Sequence, residues 1–178
     1  MKGLIIINLV FQQVEKGNSE QYEILCSLVI PYMQETDSHY PNREIMPDSI
    51  IKKYTQSMIN KQGDHDRHLE LCVADGQPIG FYHAKVDHLG HKGYIKPEYG
   101  FIMEFYIIPE QRRKGLGCFM YQRMISHLMN HGVKKIYLTT DPVTGKPFWE
   151  KLGFISNGEM SPDNDQEILE AKISNFPV

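Results

Sequence analysis

Cysteine is scarce in this chain of 178 residues, and its three cysteines, Cys26, Cys72 and Cys118, stand far apart. Thiols so few and so spaced build neither a disulfide framework nor a Cys-x-x-Cys zinc site, and they suit reduced side chains in a cytoplasmic compartment. An excess of positive charge is also lacking: 19 Lys and Arg face 22 Asp and Glu, for a formal net charge of -3. That balance argues against nucleic acid as a partner and leaves room for a local basic pocket. Long hydrophobic runs are missing as well. Leu4 to Phe11 is apolar, but it is too short to span a bilayer and no small-residue cleavage site follows it, so it reads as a strand and no membrane partner is expected. Without internal repeats, low-complexity tracts or linkers, the expectation is one domain over residues 1–178.

What is present is an ordinary globular composition, 41% hydrophobic, 23% charged and 11% aromatic, arranged as a succession of strand and helix patterns. Leu4 to Gln13 is β-branched and ends at Lys16-Gly17-Asn18, which predicts a strand and a turn. With Ser19 as N-cap, residues 20 to 33 space Tyr22, Leu25, Cys26, Val29 and Tyr32 as a helix that Pro31 kinks or ends early. Gln34 to Met46 is polar and predicts a loop; a second helix begins at Pro47-Asp48 and carries Ile50, Ile51, Tyr54 and Met58. His68 to Asp75 and Ile79 to Asp87 alternate around Gly76-Gln77-Pro78 as a hairpin. Tyr99 to Ile108 is a further strand, followed by a helix from about Lys114 with Phe119, Met120, Met124, Leu128 and Met129 on one face. Lys135 to Thr140, a short helical turn Phe148 to Leu152 capped by Gly153, and strands from Phe154 and over Gln166 to Ile173 complete the order β α α β β β α β α β β.

The most informative stretch runs from Met103 to Met120 (MEFYIIPEQRRKGLGCFM). An apolar strand meets Pro109, and Arg112-Arg113-Lys114-Gly115-Leu116-Gly117 opens into the amphipathic helix. A helix start carries unpaired N–H groups and the positive end of a dipole, so such a turn suits a phosphate. It is not a Walker A loop, because no Gly-Lys-Ser/Thr follows a four-residue gap; nor is it the dinucleotide fingerprint, because the third glycine's position is Met120. Two glycines two apart still admit close backbone approach, and three consecutive cations favour more than one phosphate.

Arg112, Gly115 and Gly117, with Pro109 three residues ahead of the arginine, match the Gln/Arg-x-x-Gly-x-Gly/Ala signature of the GNAT superfamily of acyl-CoA-dependent N-acyltransferases, and Phe148-Trp149-Glu150-Lys151-Leu152-Gly153-Phe154 resembles that family's Phe-Tyr-Glu-Lys-Leu-Gly-Phe segment. The likeness covers roughly residues 8 to 175. It implies an α/β (α+β) fold with a twisted, mixed but mostly antiparallel sheet of about six or seven strands and helices on both faces. It also implies acetyl-CoA as donor, with pyrophosphate on the N–H groups of residues 112 to 118 (Arg112, Arg113, Lys114, Gly115, Leu116, Gly117, Cys118) and the pantetheine arm on the backbone of Phe105 and Ile107. The thioester would then lie between the fourth and fifth strands, open to direct attack by an amine.

An attacking amine must lose a proton, and Glu104, an acid in an otherwise apolar strand, is the first candidate for the base, directly or through water; a surface ion pair is the plainer reading. His83 on the third strand is a weaker candidate, and His39 and Tyr40, with Arg43, are candidate acceptor contacts from the polar loop. The departure from the family pattern is Trp149. An indole is far too weak an acid for the role of the family's thiolate-protonating tyrosine, so the proton comes from water or from another group such as Tyr137 or Tyr106, and Trp149 becomes a packing surface for pantetheine or acceptor. The asparagine often found seven residues before that tyrosine is replaced by Pro142. Cys118, at a helix start beside cations, raises the option of an acyl-cysteine; the plainer reading is a small residue packed under the cofactor. His83, His88 and His91 have no matching carboxylate in sequence, so no metal is expected.

The expected function is therefore acetyl transfer from acetyl-CoA to a primary amine of a small molecule or peptide. A non-catalytic acetyl-CoA-binding sensor on the same scaffold is the alternative, made credible by Trp149, and a phosphate-binding protein of another fold comes third. An exposed sheet edge or the C-terminal strand would support a homodimer.

Overall fold

A computed structural model describes residues 8–64 and 66–173, so Leu4 to Ile7 of the expected first strand lie outside the described residues. The predicted order of elements is the observed one: β1 (Leu9–Gln13), α1 (Ser19–Ser38), α2 (Asp48–Lys61), β2 (Arg67–Ala74), β3 (Gln77–Val86), β4 (Gly100–Ile107), α3 (Leu116–Asn130), β5 (Lys135–Thr140), α4 (Gly145–Lys151), β6 (Ile155–Met160) and β7 (Glu167–Lys172). The strands form one sheet in the order β1-β2-β3-β4-β5-β7-β6. Every pairing is antiparallel except β4 with β5.

Strand alternation divides the apolar side chains between two cores. On one face Met120, Met124 and Leu128 of α3, with Trp149 of α4, pack on Tyr82, Ile102, Ile136 and Leu138. On the other, Leu25 and Val29 of α1 and Ile51 and Met58 of α2 pack on Leu69, Leu71, Phe81 and Tyr106. The helical period leaves Phe119 and Met129 outside the expected apolar face of α3, both largely exposed.

Four local expectations are corrected. Pro31 does not end α1, which runs to Ser38 and shortens the expected loop; burial of Leu28 and Val29 on the sheet holds the turn across the missing N–H. Asn18, not Ser19, caps that helix, its Oδ1 accepting the Gln21 N–H at 3.0 Å. The hairpin tip is Asp75-Gly76, with φ of 49° and 78°, a two-residue turn whose twist suits paired strands; Gln77 and Pro78 begin β3. Finally, β7 lies between β5 and β6, so the C-terminal strand is interior and offers no edge for a dimer. Among the described residues no helix is long and apolar enough to cross a membrane.

Candidate functional site

The parallel pairing of β4 with β5 holds at Gly100–Ile136, Phe101–Tyr137 and Ile102–Leu138 and goes no further. Its cause lies one residue on. His83 pairs with Glu104 while Ala84 pairs with Ile102, so Met103 is a bulge without a partner on β3. Bulges bend and twist their strand, and here β4 turns away from β5. The Ile108 N–H donates to Ile79 O at 2.9 Å; by alternation the N–H and C=O groups of Phe105 and Ile107 face the edge that β5 has left.

The bulge also reverses the faces. Ile102 packs under α3, whereas Glu104 points with Tyr106 toward α1 and α2. Glu104 is buried, and its carboxylate accepts from the hydroxyls of Tyr54 and Tyr32. Burial raises its pKa above the ordinary carboxylate value, against the opposing pull of those two tyrosines. A carboxylate raised in this way takes up a proton closer to neutral pH than a surface glutamate does.

Past β4, a 3-10 turn at Pro109–Gln111 leads into left-handed residues Arg113 (φ 64°) and Gly115 (φ 83°), and α3 starts at once. The Arg112 guanidinium does not project toward a ligand. Its Nε donates to Ile107 O at 2.8 Å and its terminal nitrogens to Glu35 at 2.7 and 2.6 Å, clamping the turn to β4 and α1. The Arg112 N–H is bonded to Pro109 O and the Cys118 N–H to Gly115 O, so both ends of the expected phosphate turn are already paired within the chain. Arg113 and Lys114 are exposed there; Leu116 is buried and anchors the helix. Cys118 is exposed and is therefore not a buried packing residue.

Trp149 is buried beside Phe105, Tyr121, Phe148 and Phe154, with its ring centroid 4.9 Å from that of Phe105. It lines the wall beneath the open edge. Tyr137 is unsuited to the expected role of acid: it is fully buried, its hydroxyl donates to Asp87, and burial together with that carboxylate pushes its pKa far up. Tyr106 is buried under the Arg112 guanidinium, 5.4 Å from its ring centroid, and its pKa is also raised by burial.

The candidate acceptor residues separate. His39 Nδ1 lies 3.0 Å from Asp141 Oδ1, joining the end of α1 to the end of β5. Burial would raise the Asp141 carboxyl, but the N–H groups of Thr144, Val143 and Gly145 hold it below its usual value. Tyr40 lies under Arg43, whose guanidinium carbon is 4.4 Å from the ring centroid. Beside them an open groove of about 460 Å³ runs between the end of α1 (Asp37) with the following loop (Arg43, Glu44) and Asp163 and Asn164 of the β6–β7 loop. His83 is not in its wall. It is buried opposite Glu104, with its pKa lowered to about 3 by burial and then by Arg67, Lys61, Lys85 and His68. Neither of its ring nitrogens makes a hydrogen bond among the described residues. Sequence reasoning missed Tyr32, Tyr54, Glu35 and Asp141; the tyrosines sit at core spacing on their helices, where a hydroxyl that must find a partner was the available signal.

Residues 23–154 match the sequence profile of the acetyltransferase (GNAT) family. The fold is similar to that of a PaiA N-acetyltransferase from Thermoplasma acidophilum in complex with coenzyme A, at 18% identity over 93% of this chain and 99% of that one, with a TM-score of 0.68. An acetyltransferase of the GNAT family from Staphylococcus aureus Mu50 is similar at 14% identity over 94% and 99% of the two chains, TM-score 0.70. An aminoglycoside 6'-N-acetyltransferase complexed with coenzyme A is similar at 14% identity over 95% and 99%, TM-score 0.67. Among curated proteins there is no match.

Proposed function

The chain belongs to the acetyltransferase (GNAT) family, and from that premise we propose that it moves an acetyl group from acetyl-CoA to a primary amine of a small molecule or peptide, with Glu104 as base. One arrangement carries the reading: the unpaired edge of β4 runs straight into the glycine turn, and a buried carboxylate stands on the opposite face beside the bulge. Two of the structures similar in fold, both acetyltransferases in complex with coenzyme A, support the choice of donor.

The residues fit that donor. At Gly115 an added Cβ would meet nothing within 4 Å, so the turn is open on its outer side, and its φ of 83° favours glycine. The N–H groups of residues 113 to 117 and the exposed Arg113 and Lys114 would hold phosphate; the edge N–H and C=O of Phe105 and the N–H of Ile107, whose C=O accepts from Arg112, would pair with an extended amide arm. When bound, acetyl-CoA supplies the acetyl group as an activated thioester. Glu104 takes the proton from the incoming ammonium, directly or through water, while Tyr32 and Tyr54 fix its carboxylate. Asp37, Glu44 and Asp163 outnumber Arg43, which pairs with Asp37, and the net negative groove favours a cationic acceptor. Phe105, Phe148 and Trp149 keep water from one side of the edge. With Tyr137 held by Asp87, proton return to the leaving side falls to water.

Trp149 favours one second reading, a CoA-binding sensor on the same scaffold. Calorimetric titration with acetyl-CoA is expected to show one site of micromolar affinity, and absence of binding would overturn both readings. Thiol release over a panel of primary amines then separates them: turnover with any amine supports the enzyme, and tight binding without turnover supports the sensor.

A further inference from the structure

A cluster of titratable side chains lies apart from this machinery, where β3 ends and β2 begins. His91 Nε2 is in contact with Asp66 Oδ2, and His88 Nε2 is 3.2 Å from the same oxygen. The three donor atoms, one from each residue, all lie within 4.8 Å of one another. Behind them, His91 Nδ1 is 3.0 Å from Asp87 Oδ1. Asp87 is itself held by Lys85 Nζ at 2.7 Å, by the Lys96 N–H at 3.0 Å and by the Tyr137 hydroxyl.

We propose that Asp66, His88 and His91 form a binding site for a divalent first-row transition ion, with Asp87 orienting His91. Four observations bear on it. Zinc–nitrogen bonds of about 2.0 to 2.1 Å in a tetrahedral site place donors about 3.3 Å apart, which the His88–Asp66 spacing already matches. A metal-bound imidazole usually gives its other N–H to a carboxylate, and His91 Nδ1, which also lies 3.3 Å from Lys85 Nζ, is closest to Asp87 and takes that relation in its Nδ1–H tautomer. The side chains of Asp66 and His91 are 8% and 9% exposed while that of His88 is 48% exposed, so the site has a buried wall and an open side for water. The carboxylates of Asp66 and Asp87 balance Lys85 and Arg67 while the imidazoles are neutral, so the pocket carries no excess of positive charge. Imidazole and carboxylate donors without thiolate suit zinc, cobalt or nickel.

The ion would have a structural task. It would tie the loop of residues 88–98 to the start of β2, and that loop holds the groove's far wall: the Tyr94 N–H donates to Asp163 Oδ2 at 2.9 Å and its hydroxyl to Glu159 at 2.6 Å. The expectation of no metal rested on three histidines lacking a nearby acid; the acid comes from 22 residues before His88.

The test uses the full chain without a histidine tag, titrated calorimetrically with Zn²⁺ and separately with Co²⁺ followed by visible absorption. One equivalent should bind with micromolar or tighter affinity. His88→Ala, whose side chain is half-exposed and whose fold is checked by circular dichroism, and Asp66→Asn should each weaken binding at least tenfold. Cys118→Ser, and a His127→Ala/His131→Ala double variant on α3, should bind as the parent does. Absence of saturable one-equivalent binding would overturn the proposal, as would unchanged affinity in His88→Ala or loss of binding in either control.

Discussion

At the scale of single residues, the proposed chemistry turns on Glu104 as base. Replacing it by Gln keeps the size and a hydrogen-bonding oxygen but removes the base. Transfer near neutral pH should fall by about 10² to 10⁴-fold, as expected for loss of a general base. The defect should shrink as pH rises and the free amine population grows, while acetyl-CoA affinity stays unchanged. Stability should move the other way. Burial raises the Glu104 pKa above its unfolded value, so the folded state holds the proton more tightly and loses relative stability as pH rises through the folded pKa. Glu104→Gln removes that penalty, and its melting temperature at neutral pH should equal or exceed that of the parent; a clear fall would contradict a merely catalytic carboxylate. Gly117 carries the second residue-level prediction. A Cβ there would lie 3.2 and 3.3 Å from the ring of Phe148, which stacks on Phe105. Gly117→Leu should cost about 1 to 3 kcal/mol of stability by overpacking and, by displacing the aromatic wall, weaken acetyl-CoA binding more than about tenfold, read by calorimetry.

At the scale of elements, the site depends on how α3 is fastened to the sheet. Glu70 of β2 accepts from Arg123 of α3 at 2.7 and 2.9 Å and from the Tyr82 hydroxyl at 2.7 Å, and lies 3.1 Å from His68 Nε2. Burial alone would raise its pKa; the bonds from His68, Arg123 and Tyr82 outweigh burial and lower it from 4.5 to about 2. A carboxyl depressed on folding stabilises above its unfolded pKa, and that contribution is lost as pH falls toward the folded value. Urea midpoints of the parent should therefore decline between pH 4.5 and about 2. In Glu70→Gln that segment should flatten, with stability at pH 7 lower by roughly 2 to 3 kcal/mol; an unchanged slope would remove Glu70 from the account. Elements were the most legible level of the sequence, because periodicity and turn residues are local. The order of strands and helices, the bounds of β5 and the turn before α3 were all readable. Pro31 misled because the packing that carries α1 past it comes from the sheet.

At the scale of the whole molecule, legibility ends where the chain meets itself. Glu104 could be singled out as an acid in an apolar strand, but its face is set by the bulge at Met103, a feature of the pairing between β3 and β4. Tyr137 is a candidate acid by sequence, but its hydroxyl is committed to Asp87. Arg112 matched a motif, yet its partner is Glu35 on a helix 77 residues earlier. Each correction has one physical source: a long-range partner that fixes the state of a locally recognisable side chain. The central claim is itself a long-range one, that the edge left by β5 and the turn after β4 form a continuous seat for acetyl-CoA. Its most direct measurement is the change in backbone amide chemical shifts of the isotope-labelled chain on titration with acetyl-CoA. Saturable shifts are expected, largest at Phe105, Ile107 and residues 113 to 117; saturable shifts that spare this run, or none at all, would overturn that seat.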